Sequence, residues 1–426
     1  MAMPTRKERA VSLRLSGWRQ FDNVTINFHQ RLTVITGANG AGKTTILNIL
    51  AVNLGWRVPF ASVPAPARAA LEFAANVWQA VTQHFGTPSA PSVSVGEITY
   101  ASGQKAQILV PMKPTSHRFE ITYDIPAQVS GLYIPSHRPV FVPVEVKKPK
   151  RPIEYATAFE NYATAIRSAW TDTGPNTSSP IRLLKEALLS WSSDPSWTPA
   201  FTAFSQTLAA VLPASLGFSN LEERGNDVVL VCTTGDFTLD SVSGGIAAII
   251  DITWQIFLYS SVDEDSEPFM VLVDEPENHL HPEMQRSVLF KLSEFFTRAQ
   301  FIVASHAPLV VTSVEDANVF ALAFADATDT LSAQRVVHCV QLKDFERTGT
   351  ASDVLRQVLG LDYTMPVWAA NILESAVQKV SASRFDAPAL KELKDTLEAN
   401  NLGRYLPETL AKIAGVHQAE DEPVPA

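Results

Sequence analysis

Cysteine is nearly missing, with Cys232 and Cys339 alone among 426 residues. That excludes a disulfide framework and a zinc pattern, and it suits a reducing cytoplasm, the compartment expected here. Long apolar runs are missing too. The longest stretch, 242–259, is interrupted by Ser243, Asp251 and Gln255, so no membrane span and no membrane partner are expected. The opening MAMPTRKER is charged and has no apolar core, which argues against an export signal. Basic charge is in short supply: 34 Lys and Arg face 44 Asp and Glu, for a net charge of −10. A surface that grips nucleic acid by charge alone is therefore excluded, although a local basic groove is not. The one basic cluster, residues 147–151, is cut by Pro149 and bracketed by Pro143 and Pro152. It reads first as a solvated, extended connector and second as a phosphate-contacting loop. No internal repeat and no sustained heptad seam is present, which excludes a solenoid and a long coiled coil.

What the chain does have is 46% apolar residues over a length that supports two or three packed layers. Its organising stretch is Gly37-Ala38-Asn39-Gly40-Ala41-Gly42-Lys43-Thr44, between the β-branched run 32–36 and the apolar run 45–50. Strand, glycine turn and helix in that order, with GxxxxGK[ST] spacing, make a P-loop. Backbone N–H groups from Asn39 to Thr45 would cradle phosphates at the helix N-terminus, and Lys43 would reach the outer phosphates. Thr44 would offer its hydroxyl to Mg2+. ATP and Mg2+ are thus the expected ligands.

Around this motif, residues 11–28 alternate apolar and polar positions about turns at Gly17 and Asp22-Asn23, as a hairpin does. Residues 67–85 have helical spacing; 94–101, 107–111 and 118–124 read as an antiparallel meander, and 131–135 as a further strand. From 153 to 211 the pattern is helical, with Phe201, Phe204, Leu208 and Val211 on one face. Strands then alternate with helices: 227–232, 237–239, helix 245–260, strand 269–273, helix 282–296, strand 300–304. That alternation implies a parallel sheet. Beyond Asp344 the text is helical, with a capping box at 350–353 and Leu390, Leu393 and Leu397 on one buried face. These helices carry apolar stripes with charged faces, suited either to subunit or partner contacts or to packing back on the head. The acidic, proline-rich tail from His417 reads as disordered. The expected domains are an N-terminal lobe 1–135, a helical insertion 136–225, a second half of the core 226–343, a helical extension 344–416 and the tail 417–426.

Three later motifs narrow the chemistry. Residues 269–276 form an apolar strand ending in Asp274-Glu275-Pro276, as Walker B strands do; Asp274 would hold the metal and Glu275 would activate water. Asp240-Ser241-Val242-Ser243-Gly244-Gly245 opens a helix, leaving N–H groups uncovered at its positive end. Residues 302–308 carry Ser305 and His306 at a strand end.

Together these residues resemble the ABC-type ATPase superfamily, and within it the RecF/SMC-like branch that includes OLD-family and related bacterial antiphage-defence ATPases. The most specific pieces are the P-loop with its N-terminal approach, the phrase DEPENHLHPEMQ at 274–285, and ASHAP at 304–308. The resemblance implies an α/β ABC-type head: a mixed-sheet P-loop core, an antiparallel β subdomain, a helical insertion and a helical C-terminal extension. It also implies that Ser243, Gly244 and Gly245 form the signature, that His306 is the switch histidine contacting the γ-phosphate, and that 278–282 is the D-loop. Ile246 departs from the Gln or Glu that usually follows the signature. No Q-loop glutamine is visible, and Ser136-His137-Arg138 is the substitute. The stretch between Lys43 and Ser243 lacks heptads, so a compact RecF-like head is expected rather than an SMC arm. No toprim-like acidic cluster follows His306.

One chain holds one set of motifs, so a closed two-site unit needs a second chain, most economically an identical one. The favoured reading is an ATPase that forms a homodimer or higher homo-oligomer around two ATP molecules and switches an effector protein in antiphage defence. The alternative is a RecF-like ATPase that binds DNA in repair or recombination.

Overall fold

The computed structural model describes residues 8–61, 92–111, 118–125, 127, 129–171, 179–262, 267–325, 336–342, 366–381, 387–400, 402–406 and 409–410. The expected helix at 67–85, the capping box at 350–353 and the tail from 417 lie outside them. The chain forms two compact units, Met1–Val354 and Leu355–Ala426.

In the first unit, β1 (Ala10–Trp18) and β2 (Phe21–Asn27) form the N-terminal hairpin, followed by β3 (Leu32–Gly37) and α1 (Lys43–Asn53). The turn is not at Gly17 or Asp22-Asn23. Trp18 pairs with Phe21, which leaves Arg19 and Gln20 as the two turn residues. Arg19 takes φ 54, a cost offset by contacts. Its guanidinium lies 4.9 Å from the Trp18 ring centroid and 5.5 Å from that of Phe60, and it donates to the Ala61 carbonyl at 2.6 Å.

Next come the short β4 (Phe60–Ala61), then β5 (Ser92–Tyr100), β6 (Lys105–Pro111), β7 (Arg118–Phe119), β8 (Thr122–Tyr123) and β9 (Gly131–Ile134). The segment 118–124 is two short strands. β8 joins β6, whereas β7 pairs with β4. The insertion is three helices, α2 (Tyr155–Thr171), α3 (Pro180–Ser193) and α4 (Thr198–Val211), after which β10 (Phe218–Arg224), β11 (Asp227–Cys232) and β12 (Phe237–Thr238) make a small separate sheet.

The remaining elements are α5 (Gly244–Val262), β13 (Phe269–Asp274), α6 (Pro282–Gln285), α7 (Val288–Phe295), β14 (Ala299–Ala304), α8 (Pro308–Val311), β15 (Asn318–Phe324) and β16 (Val337–Gln341). One helix was expected at 282–296. Ser287 breaks it, because its Oγ bonds back to the carbonyls of Glu283 and Met284 at 3.3 and 3.4 Å.

The main sheet has eleven strands in the order β8-β6-β5-β1-β2-β16-β15-β3-β14-β13-β9. From β15 to β9 all pairings are parallel; from β8 to β2 they are antiparallel. β3, β13 and β14 are buried at every position, which is why they read as mainly apolar runs without a polar-out alternation. The antiparallel meander is thus continuous with the parallel core rather than a sheet of its own. Parallel pairing brings the C-terminal ends of β3, β13, β14 and β9 to one edge, where such sheets carry their sites.

Helix α5 is long and apolar enough by length and composition to cross a bilayer, with mean hydropathy 1.4, yet 78% of that stretch is buried inside the protein. It packs on α2, α4 and β9 as the core helix of this unit.

The second unit contains α9 (Val367–Ser381) and α10 (Ala387–Ala399), which share a core of Ala369, Leu373, Ala376, Val377, Leu393, Leu397 and Leu402. Leu390, expected on that buried face, is 37% exposed; two short helices offer too little partner surface to cover it.

Candidate functional site

β3 delivers the chain into the glycine loop, and α1 leaves it. Gly42 is the N-cap of α1 at φ 101, and no side chain caps the helix. Its first N–H groups therefore point outward at the positive end of the helix dipole. A Cβ at Gly42 would sit 2.3 Å from Phe21 Cζ in the β1–β2 hairpin, so only glycine fits where that hairpin closes on the loop. Gln20 Nε2 donates to the Gly40 carbonyl at 3.3 Å. Ala41 is fully buried, whereas Asn39, Gly40 and Thr44 are exposed and Thr45 is half-buried. Lys43 Nζ donates to the Gly37 and Ala38 carbonyls at 2.8 and 3.1 Å. Burial lowers the Lys43 pKa, while the charges of Glu275, Asp274 and Glu277 oppose that shift.

Across the edge, Thr44 Oγ1 donates to Asp274 Oδ2 at 3.0 Å. Burial pushes the Asp274 carboxyl up to about 6, helped by the charge of Glu275 and opposed by the Thr44 bond and by Arg138. A hydroxyl and a buried carboxylate held together in this way are a donor set for a hard, oxygen-seeking cation such as Mg2+. The Glu275 amide donates to the Ala304 carbonyl at 2.9 Å, and Glu275 takes φ 48, a strained turn at the strand end. Asn278 Nδ2 holds the Glu275 side chain at Oε2, 3.0 Å, and also bonds the Ser136 carbonyl at 3.2 Å.

His306, half-exposed, lies with Nδ1 3.2 Å from Glu277 Oε1 and 3.6 Å from Glu275 Oε1. Glu277 is buried and accepts from Ser305 Oγ at 2.9 Å and from the His306 amide at 3.0 Å. It ties the 305–306 turn to the end of β13.

Arg138 follows β9 and is buried. Its Nη2 donates to the Asp274 carbonyl at 2.9 Å, and the charges of Asp251 and Asp274 offset the lowering of its pKa by burial. Asp251, on α5, accepts from Tyr162 Oη at 2.6 Å and Gln255 Nε2 at 3.1 Å; burial lifts its carboxyl to about 6. Arg138 thus stands between the acidic strand end and the helix that begins at the signature.

That helix starts at Gly244, with Ser243 and Gly244 exposed and Gly245 buried. The Ser243-Gly244-Gly245 segment approaches the acidic cluster through the turn after Asn278. His279 takes φ 69, and a Cβ at Gly245 would sit 2.9 Å from its carbonyl oxygen.

Residues 12–69 match the family model described as "AAA domain", and residues 233–312 match the one described as "AAA domain, putative AbiEii toxin, Type IV TA system". The first match contains the P-loop; the second contains the signature, the acidic strand end and His306. Both matched stretches are thus similar to AAA-type ATPase domains. The chain is 23% identical over 176 residues to the Septu protein PtuA of Bacillus thuringiensis, across 38% of the chain and 43% of that protein. It is 31% identical over 150 residues to the Retron Ec83 probable ATPase of Escherichia coli, across 33% of the chain and 27% of that protein. The matched stretches span less than half the length of these curated relatives. A solved SMC head, in complex with the C-winged helix domain of ScpA, aligns over 80% of the chain and 98% of its own at 14% identity and TM-score 0.40.

In the folded chain the sequence-predicted Lys43, Thr44, Asp274, Glu275 and His306 converge at one sheet edge, and Ser243, Gly244 and Gly245 lie beyond the 278–281 turn. Sequence reasoning missed Glu277, although the third acid of Asp274-Glu275-Pro276-Glu277 was a signal for it. It also missed Gln20 and Phe21, which only the folded hairpin brings to the loop.

Proposed function

We propose that this protein is an ATP-hydrolysing switch in which two copies close around two ATP molecules, the state of the pair being passed to an effector protein in antiphage defence. The observation that carries the reading is the convergence of Thr44 and Asp274 with Glu275, Glu277 and His306, while Ser243 and Gly244 stay exposed at the start of α5. The uncapped N-terminus of α1 and Lys43 suit the phosphates of ATP. Asp274 and Thr44 would hold magnesium, which would supply charge neutralisation on those phosphates when bound. Glu275 orients a water and takes its proton. Asn278 fixes the Glu275 carboxylate, and Glu277 sets the position of His306. The exposed signature serves the nucleotide of the second copy. The resemblance to defence ATPases, and relatives named for Septu and retron systems, support the role in defence and the effector partner.

A site completed by a second copy makes specific ATPase activity rise with protein concentration until the pair is saturated. Ser243→Arg should remove that rise while leaving nucleotide binding by the P-loop. Turnover per chain that is independent of concentration, and unaffected by Ser243→Arg, contradicts the reading. The second reading, a DNA-binding ATPase of RecF type, would draw on the basic segment 147–151. There Lys148 pairs with Glu223, which leaves less free charge for phosphate contacts.

A further inference from the structure

The buried stripe of α3 contains Ile181, Leu184, Lys185 and Leu188, so a lysine occupies a position that helical spacing reserves for an apolar residue. Lys185 is 1% exposed. Its ammonium has three acceptors: Asp240 Oδ2 at 2.6 Å, Asp227 Oδ1 at 2.8 Å and the Val144 carbonyl at 3.0 Å. All three protons of the ammonium are used. Asp240 is held just as fully. Its Oδ2 also accepts from the Val144 amide at 3.0 Å and its Oδ1 from Thr238 Oγ1 at 2.9 Å. Thr238 in turn bonds Ser241, whose Oγ lies 2.8 Å from Thr238 Oγ1.

An apolar pair in place of a buried ion pair generally leaves a protein as stable or more so, so stability alone does not account for this network. What it does is join, through the Lys185 ammonium of helix α3, three segments: Asp240, three residues before Ser243, the extended chain at Val144 and the start of β11 at Asp227. We infer that Lys185 is a positioning residue for the signature. By fixing Asp240 it sets where Ser243, Gly244 and Gly245 are presented to the second copy, and it makes that placement depend on the helical insertion. The inference rests on the proposed function, in which the signature acts on the nucleotide of the other copy. Displacement of α3 would be transmitted to the signature through this bond, so the insertion becomes a control point for closure.

The test uses the full chain carrying Glu275→Gln, compared with the same chain carrying Lys185→Met or Lys185→Met with Asp240→Asn. The double change removes the carboxylate that Lys185→Met would strand, so the fold is kept. Two quantities are read: affinity for a fluorescent ATP analogue at dilutions where the protein is monomeric, and the midpoint of Mg-ATP-dependent association by light scattering. Positioning predicts nucleotide affinity within about twofold of the parent and association weakened about tenfold or more in both variants. Hydrogen exchange should also quicken at residues 238–246 and stay unchanged at residues 36–46. Association of the double variant at the parent's midpoint overturns the role of Lys185 while leaving the proposed function standing. A parent that does not associate with Mg-ATP overturns both.

Discussion

Thr44 Oγ1 and Asp274 Oδ2 are hydrogen-bonded at 3.0 Å across 230 positions of sequence. The bond joins the first turn of α1 to the end of β13. The glycine loop and the acidic strand end are therefore one site in the folded chain, with the Lys43 ammonium beside them.

Lys43→Ala should abolish useful ATP binding. The ammonium belongs to the first residue of α1, at its uncapped end, and charged hydrogen bonds of this kind contribute about 3 kcal/mol, roughly a hundredfold in Kd. Titration with Mg-ATP by calorimetry measures it. Affinity equal to wild type would refute the assignment of the loop.

Asp274→Asn should separate metal binding from stability through pH. Burial, with the charge of Glu275 adding to it, raises the folded-state pKa from 3.8 to about 6. A group raised in this way contributes stability that is fully present below about pH 4 and lost as pH rises through about 6. Above that the ionised carboxylate costs the nucleotide-free protein about 2–3 kcal/mol. The amide keeps an acceptor for Thr44 without the charge. Without nucleotide, the variant should therefore melt above wild type at about pH 8 and level with it below about pH 4. It should also gain little from Mg-ATP. A melting difference that does not change with pH would contradict this assignment of the Asp274 environment.

Gly245→Ala and Gly244→Ala should behave differently. The first places a methyl 2.9 Å from the His279 carbonyl, the second one 3.9 Å from the His279 Cβ. Crowding against backbone costs about 1–3 kcal/mol. It would push the 278–281 turn that holds Glu275 through Asn278. Gly245→Ala should thus lower ATPase activity and melting temperature, and Gly244→Ala should leave the melting temperature nearly unchanged. Equal melting temperatures for the two variants would show that the turn yields freely.

Much of this was legible in the chain. β3 is mostly β-branched and β13 apolar up to its final Asp274 because both faces of a parallel strand are covered, and the glycines between β3 and α1 have fixed spacing. Lys43, Thr44, Asp274, Glu275 and His306 could therefore be placed at strand and helix ends before any coordinates. Glu277 could not, because its bonds to Ser305 and the His306 amide depend on how β13 pairs with β14. Arg138 was singled out only as a stand-in for a missing glutamine; its bond to the Asp274 carbonyl spans 136 residues. The turn at Arg19 was hidden because glycine is the usual residue at positive φ, and here an arginine is held there by aromatic rings.

The most direct test of the account is the mass of Glu275→Gln with and without Mg-ATP, measured by light scattering across the dissociation midpoint. The amide keeps the shape of Glu275 and its contact with Asn278 and loses the basicity needed to take a proton from water. ATP should then persist between the P-loop of one copy and Ser243, Gly244 and Gly245 of the other, stabilising the pair by mass action. Closure of two copies around ATP predicts a doubling of mass with Mg-ATP that Ser243→Arg, added to Glu275→Gln, reverses. A mass that Mg-ATP leaves unchanged, with no protection of residues 240–246 from proteolysis, would contradict it.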